Sequence, residues 1–301
     1  MIAFQTPTLA DRAWAEPLFY AAGNRGCENN FVNLFVWKSV YHQQIARLHN
    51  CVLIRYATQK AKYYLYPAGP GDVRACIAAL LDDAAAQGEP LWLIGVTPEQ
   101  TQNLTAWFPG MFTYEADREG FDYLYKVDRL ADLKGRKLQA KRNHINRFCD
   151  HYPTWRVEIL TPENLPACRE IERHWQQQKE KADSPIGEDA VIASALDNFT
   201  ALGLEGLMIV TEDGPLAFTL GRRMTEDTYD VHFEKADGEI QGSYAIVNRE
   251  FARWVRSQYP AVRYLNREDD MGLPGLRKAK ESYVPDCMVE KHVATWEGTR
   301  G

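Results

Sequence analysis

Twice along this chain, stretches with helical spacing of apolar residues give way to short runs with strand character. That double alternation limits the fold to layered α/β architectures. In the first half, Thr8 to Ala22 reads as a helix with Leu9, Trp14, Leu18 and Phe19 inward. Glu28 to Tyr41 reads as a second, with Phe31, Leu34, Phe35 and Val40 on one face. Strands follow at Gln44 to Leu48, Cys51 to Tyr56 and Tyr63 to Tyr66, and Pro67, Gly69, Pro70 and Gly71 end that run. Asp72 is placed to N-cap a helix that continues through Ala86 and stops at Gly88. Leu91 to Val96 carries no polar side chain, as a buried central strand requires. A helix from Pro98 to Phe108 and strands at Met111 to Tyr114 and Asp122 to Val127 complete the first half.

The second half repeats the alternation. Trp155 to Leu160 reads as a strand, and Leu165 to Lys179 and Asp189 to Leu202 as helices. Leu207 to Val210, Pro215 to Met224 and Thr228 to Glu234 form an expected antiparallel meander, with turns at 212–214 and 225–227. A helix from Ser243 to Gln258 turns Ile246, Val247, Phe251, Trp254 and Val255 inward. A strand ending at Leu265, a helix ending near Tyr283 and a strand from Met288 to Val293 close the chain. The expected class is α/β, in the α+β sense of mixed sheets. At 301 residues and 45% hydrophobic content the chain exceeds one small core. Two tandem domains are expected, 1–130 and 131–301, with the seam near Lys126 to Lys134.

Net charge of −6 argues against a surface that coats nucleic acid as a whole. No apolar run approaches the roughly 20 residues of a membrane-spanning helix, and the N-terminus lacks the pattern of a secretory leader. The six cysteines are scattered, which predicts reduced thiols and a cytoplasmic protein. The seven histidines are too dispersed to propose a metal site, and nucleophile-elbow, zincin and P-loop motifs are absent.

Four segments carry candidate chemistry. Asn266 to Tyr283 sets Arg267, Glu268, Asp269 and Asp270 between a strand end and a helix bearing Arg277, Lys278 and Lys280. Strand-to-helix connections of this kind converge backbone N–H groups and polar side chains on ligands; the simpler reading is that the carboxylates only cap the helix and pair with its lysines. Lys134 to Arg147 is a basic strip. With Leu138 at zero on a helical wheel, Lys141 falls at about −60° and Arg142 at about +40°, flanking Ile145 at about −20°. Those two cations therefore either pair with carboxylates in a domain interface or face an anion-accepting cleft. Lys134, Arg136, Lys137 and Arg147 suit solvent or the phosphates of a polyanion. On Thr228 to Glu234, alternation puts Asp230, His232 and Glu234 on one side, an acid/base arrangement if buried and an ordinary polar face if not. Arg222 and Arg223 on the preceding strand are placed to lie opposite and supply counter-charge. Lastly, the loop through Gly242, Ser243 and Tyr244 brings backbone N–H groups to a helix start.

The order strand, two helices, meander, loop, helix, strand, helix, strand resembles the fold of Gcn5-related N-acetyltransferases. More specifically, LKGRKLQAKRNHINRF and NREDDMGLPGLRKAKESYVP, together with YYLYP (Tyr63 to Pro67) and FDYLYKV, resemble a bacterial family related to the catalytic C-terminal domain of phosphatidylglycerol lysyltransferases. The resemblance implies two tandem acyltransferase-like domains. It also implies transfer of an aminoacyl group, from aminoacyl-tRNA, to a lipid headgroup or other amine or hydroxyl acceptor. Fem-type aminoacyltransferases are similar in this tandem arrangement. On that reading Glu234 or Asp269 is the base, and Tyr283 sits where the fold keeps a general acid. Asn266 and N–H groups near Gly242 orient the carbonyl, while Lys141, Arg142 and Lys280 hold the donor, beside Glu268 and Asp270. The donor is a substrate, so no cofactor is expected, and tRNA is expected along Lys134 to Arg147. The alternatives are a CoA-dependent N-acyltransferase and a non-catalytic binding module. Glu239 stands where acetyl-CoA enzymes of this fold carry Arg or Gln. The transferase reading leans on one spatial expectation, that the 267–270 run and the two junction cations look into a common hollow and not out from opposite surfaces.

Overall fold

Asp11 fixes where the first helix begins. Its Oδ2 accepts from the Thr8 amide and hydroxyl, each at 2.8 Å, so a 3-10 turn at Leu9–Asp11 precedes α1 (Arg12–Ala22). The computed structural model describes residues 2–57, 61–178 and 187–298. Asn30 then caps a new helix by accepting from the Asn33 amide at 2.8 Å. The stretch expected as one helix from Glu28 is therefore two, α2 (Phe31–Val36) and α3 (Lys38–Tyr41). β1 (Gln43–Leu48), β2 (Cys51–Ala57) and β3 (Lys62–Leu65) lead to α4 (Val73–Gln87), which Asp72 caps and Gly88 ends in the left-handed region. β4 (Leu91–Val96), α5 (Pro98–Trp107) and β5 (Thr113–Ala116) follow. The sheet runs β1-β2-β3-β4, then the C-terminal strand His292–Trp296, then β5.

That C-terminal strand shifts the domain limits away from 130. The compact units are Met1–Asp122 with Val289–Gly301, and Tyr123–Met288. His292–Trp296 runs antiparallel to both β4 and β5. Lys291, 1% exposed, anchors it, reaching Glu28 Oε1 at 2.6 Å and Asp122 Oδ1 at 2.8 Å. The other Asp122 oxygen accepts from the Cys27 amide at 2.7 Å. A buried ammonium needs such partners, since its burial without them is prohibitive.

The second unit begins with β6 (Asp122–Lys126), α6 (Val127–Asp132), α7 (Gln139–His151), β7 (Arg156–Ile159) and α8 (Leu165–Gln178). Lys179, the expected end of α8, lies outside the described residues. Next come α9 (Glu188–Asp197) and α10 (Phe199–Leu202), separated at Asn198, whose Nδ2 donates to Ser194 O at 2.8 Å. The meander is β8 (Glu205–Thr211), β9 (Gly214–Arg223) and β10 (Thr228–Ala236). α11 (Ser243–Gln258), β11 (Tyr264–Asn266), α12 (Pro274–Glu281) and β12 (Cys287–Val289) complete it. The sheet order is β12-β6-β11-β10-β9-β8-β7, with β10 and β11 parallel. The last expected strand is thus two strands in two sheets. Ile246, Val247, Phe251 and Val255 of α11 pack on Leu207, Ile209, Ala217 and Tyr229, closed by Leu130, Ile145 and Phe148. Each such side chain contributes about 1.5–3 kcal/mol on burial. Among the described residues no helix is long and apolar enough to cross a membrane.

The ladder between β9 and β10 is irregular at one point. Val231 pairs with Gly221 and Phe233 with Leu220, so His232 is the extra residue of a β-bulge. Opposite it, a Cβ on Gly221 would lie 2.0 Å from the Asp230 carbonyl oxygen. Backbone cannot yield as a flexible side chain does. Gly221→Ala is therefore expected to destabilise the Tyr123–Met288 unit by about 3 kcal/mol, near the upper end for overpacking. A thermal melt within about 1 °C of wild type would contradict this close approach.

Candidate functional site

β10 does not present a solvent face. Asp230 is fully buried and His232 7% exposed, and Glu234, at the end of the same row, is held from two sides. Glu234 Oε1 accepts from Arg267 Nη2 at 2.8 Å, and Oε2 from Asn248 Nδ2 of α11 at 3.0 Å. Arg267 comes from the segment after β11, and its guanidinium lies 4.8 Å from the Tyr283 ring centroid and 5.7 Å from that of Tyr125. Burial opposes its charge, but Glu234 and the two tyrosines more than offset this and keep it protonated.

Lys141 of α7 enters the same group, its Nζ 3.9 Å from the Tyr283 ring centroid. Burial and the neighbouring Arg267 lower its pKa to about 8, against the pull of Glu234. Tyr283 is 4% exposed, and burial raises its hydroxyl above the ordinary tyrosine range. That hydroxyl has no hydrogen-bond partner among the described residues, whereas the Tyr125 hydroxyl donates to Lys280 O at 2.7 Å. The result is a carboxylate, two cations and a protonated phenol gathered between β10, α7 and the end of α12. Such a set can accept a proton, face a developing oxyanion and return a proton.

The two junction cations part company. They stand about 100° apart around α7, and only Lys141 turns toward Tyr283. Arg142 donates to the Leu133 and Gly135 carbonyls and lines a groove of about 310 Å³ with Arg249, Arg253 and Asn146. Lys134, Arg136, Lys137 and Arg147 are exposed, as the sequence predicts.

The acidic run is engaged locally. Asp270, fully buried, binds Arg277 through both oxygens at 2.8 Å and accepts from the Tyr123 hydroxyl at 2.6 Å. Asp269 Oδ1 accepts from the Met271 amide at 2.9 Å, and Lys280 Nζ donates to the Arg267 and Asp269 carbonyls. Asn266 Oδ1 accepts from the Glu268 amide at 2.6 Å, and Glu268 itself has φ +57°. The Glu268 carboxylate faces His232. Arg222 donates to Gly203 O, across the strand from Asp230. At the start of α11, Gly242 has φ +95°, and a Cβ there would meet His144 O at 2.4 Å, so glycine is required by the approach of α7. Ser243 Oγ donates to Asp237 O at 2.6 Å, and the Tyr244 hydroxyl accepts from Trp175 Nε1 at 2.7 Å.

Sequence reasoning assigned no role to Arg267, Asn248 or Tyr125. Their meeting with Glu234 joins β6, β10, α11 and the segment after β11, and no local spacing reports it.

The family model described as "Phosphatidylglycerol lysyltransferase, C-terminal" matches residues 21–295. A solved structure of a conserved protein of unknown function from Bacteroides thetaiotaomicron is similar over 98% of this chain and 100% of its own, with 37% identity and a TM-score of 0.89. The structure of L-PGS from Bacillus licheniformis is similar in fold over 99% of this chain and 95% of its own, with 15% identity and a TM-score of 0.70. An uncharacterised protein of Mycoplasmoides gallisepticum is 21% identical over 173 residues, 57% of this chain. The match spans about half of that relative's length, 55%. The chain shares with these structures an architecture of two α/β units, each built on its own mixed sheet.

Proposed function

Since this chain belongs to the phosphatidylglycerol lysyltransferase C-terminal family, we propose that it transfers an aminoacyl group from aminoacyl-tRNA to a hydroxyl or amine of a lipid headgroup or other small acceptor. The observation that supports this reading is the convergence of Lys141, Arg267 and Tyr283 around Glu234. The acceptor oxygen or nitrogen attacks the ester carbonyl carbon, and its proton passes to Glu234. Negative charge then grows on the carbonyl oxygen, where Arg267 and Lys141 supply fixed positive charge. The ester C–O bond breaks, and the leaving ribose oxygen takes a proton from Tyr283. The donor is itself a substrate, so this scheme calls on no resident cofactor. On this reading the exposed cations Lys134, Arg136, Lys137 and Arg147 meet the tRNA phosphates, and Asp269 is a second candidate base beyond Glu234.

The test is incubation with charged tRNAs and a panel of lipid, amine and hydroxyl acceptors, read by mass spectrometry. The expected result is an aminoacylated acceptor that requires charged tRNA. The CoA-dependent alternative predicts stabilisation by acetyl-CoA, about 2.7 kcal/mol at 100 times its Kd. Products formed from acetyl-CoA alone, or from no charged tRNA at all, would overturn the proposal.

A further inference from the structure

We propose that Asp230, His232 and Glu268 bind one divalent transition-metal cation. Their ligand atoms lie within 4.8 Å of one another, and two of the separations are those of a coordination shell. His232 Nδ1 is 3.2 Å from Glu268 Oε1 and 3.6 Å from Asp230 Oδ2. Metal–ligand bonds of about 2.0–2.2 Å in a tetrahedral shell place neighbouring donor atoms roughly 3.2–3.6 Å apart.

The backbone holds the set in place from both sides. His232 is the bulged residue of β10, and bulges re-aim the side chains they carry. Glu268 is held in the left-handed region, with its amide bound to Asn266 Oδ1 and its carbonyl accepting from the Tyr123 amide at 3.1 Å. Electrostatics point the same way. Nδ1 can donate one proton, to one carboxylate, while two carboxylates face it. A divalent cation takes an electron pair from all three groups and cancels both negative charges.

Access and selectivity follow from the same residues. The side chains of Asp230 and His232 are fully buried, whereas that of Glu268 is 20% exposed, so the open coordination positions lie on the Glu268 side. One imidazole with two carboxylates suits manganese, iron(II) or zinc over a soft cation.

Binding is measured without any transfer assay, so the outcome is independent of the function proposed above. Chelator-treated protein is titrated with Mn²⁺ and followed by electron paramagnetic resonance. The expected result is one ion per chain with nitrogen coupling from a single imidazole. Glu268→Gln should weaken it about tenfold or more. His232→Asn should abolish the nitrogen coupling, and the exposed His42→Asn should change nothing. Glu268→Gln decides the matter alone if the buried histidine variant fails to fold. An imidazolium clamped between the carboxylates, with no ion, is the competing state. No saturable Mn²⁺ binding, binding without nitrogen coupling, or binding unaltered in Glu268→Gln would each overturn the proposal.

Discussion

A Tyr283→Phe variant is expected to lose about 10²-fold or more of aminoacyl transfer, the size of a general-acid contribution, while its melting curve stays close to wild type. The ring, which packs edge-on against Tyr125 and lies beneath Lys141 and Arg267, is retained. Only the hydroxyl is removed, and it has no partner among the described residues whose loss would disturb the fold. Burial keeps that hydroxyl protonated across the working pH range, so it gives a proton to a leaving oxygen and does not take one from an acceptor. A group acting on the leaving oxygen acts in the transition state, so kcat and kcat/KM should fall together with little change in KM. Glu234→Gln should lower both as well, but it also leaves Arg267 without its charged partner, so its fold must be checked beside its rate. Full activity in folded Tyr283→Phe removes the phenol from the chemistry.

What the residues disclosed in advance depended on how local the deciding interaction is. Leu91–Val96 and Ser243–Gln258 were read to the residue, because an unbroken apolar run and a one-sided apolar stripe are properties of the segment itself. Gly88 and Asp72 likewise mark their helix by their own backbone and side-chain chemistry. The domain limits were not legible in this way. Whether His292–Trp296 joins one sheet or the other is decided by Lys291 meeting Asp122 and Glu28, at separations of 169 and 263 residues. The burial of β10 is not legible for a related reason. The alternation of Asp230, His232 and Glu234 leaves a polar face and a buried acid/base row both open, and only Glu268 and Arg267, more than thirty residues on, make it a paired interior row. The wheel placed Lys141 and Arg142 beside the apolar stripe, but one step of helix rotation sent one to Tyr283 and the other to the Leu133 carbonyl.

The second large effect concerns the segment that supports the site, and it is expected as an acid-sensitive loss of stability in which Asp270→Asn costs about 2 kcal/mol at neutral pH. Burial by itself pushes the Asp270 carboxyl up, but the Arg277 guanidinium, the Tyr123 hydroxyl and the Gly272 amide reverse this and hold it at about 2, from an ordinary 3.8. The lowered folded value fixes the sign. The unfolded chain binds the proton more readily, so the stabilisation is complete above about pH 5 and is lost as pH falls through 3.8 toward 2. Asparagine has no charge to lose, and its amide must set an N–H against the donors that surround Asp270. Urea unfolding of both proteins should therefore show a gap at neutral pH that narrows steadily in acid. A gap that stays constant down to about pH 3 would mean that the carboxylate charge is not what fixes the turn between Arg267 and α12. Because Lys280 binds the Arg267 and Asp269 carbonyls of that same turn, loosening it should also displace Arg267 from Glu234. The acid limb of transfer activity is then expected to include the acid limb of stability.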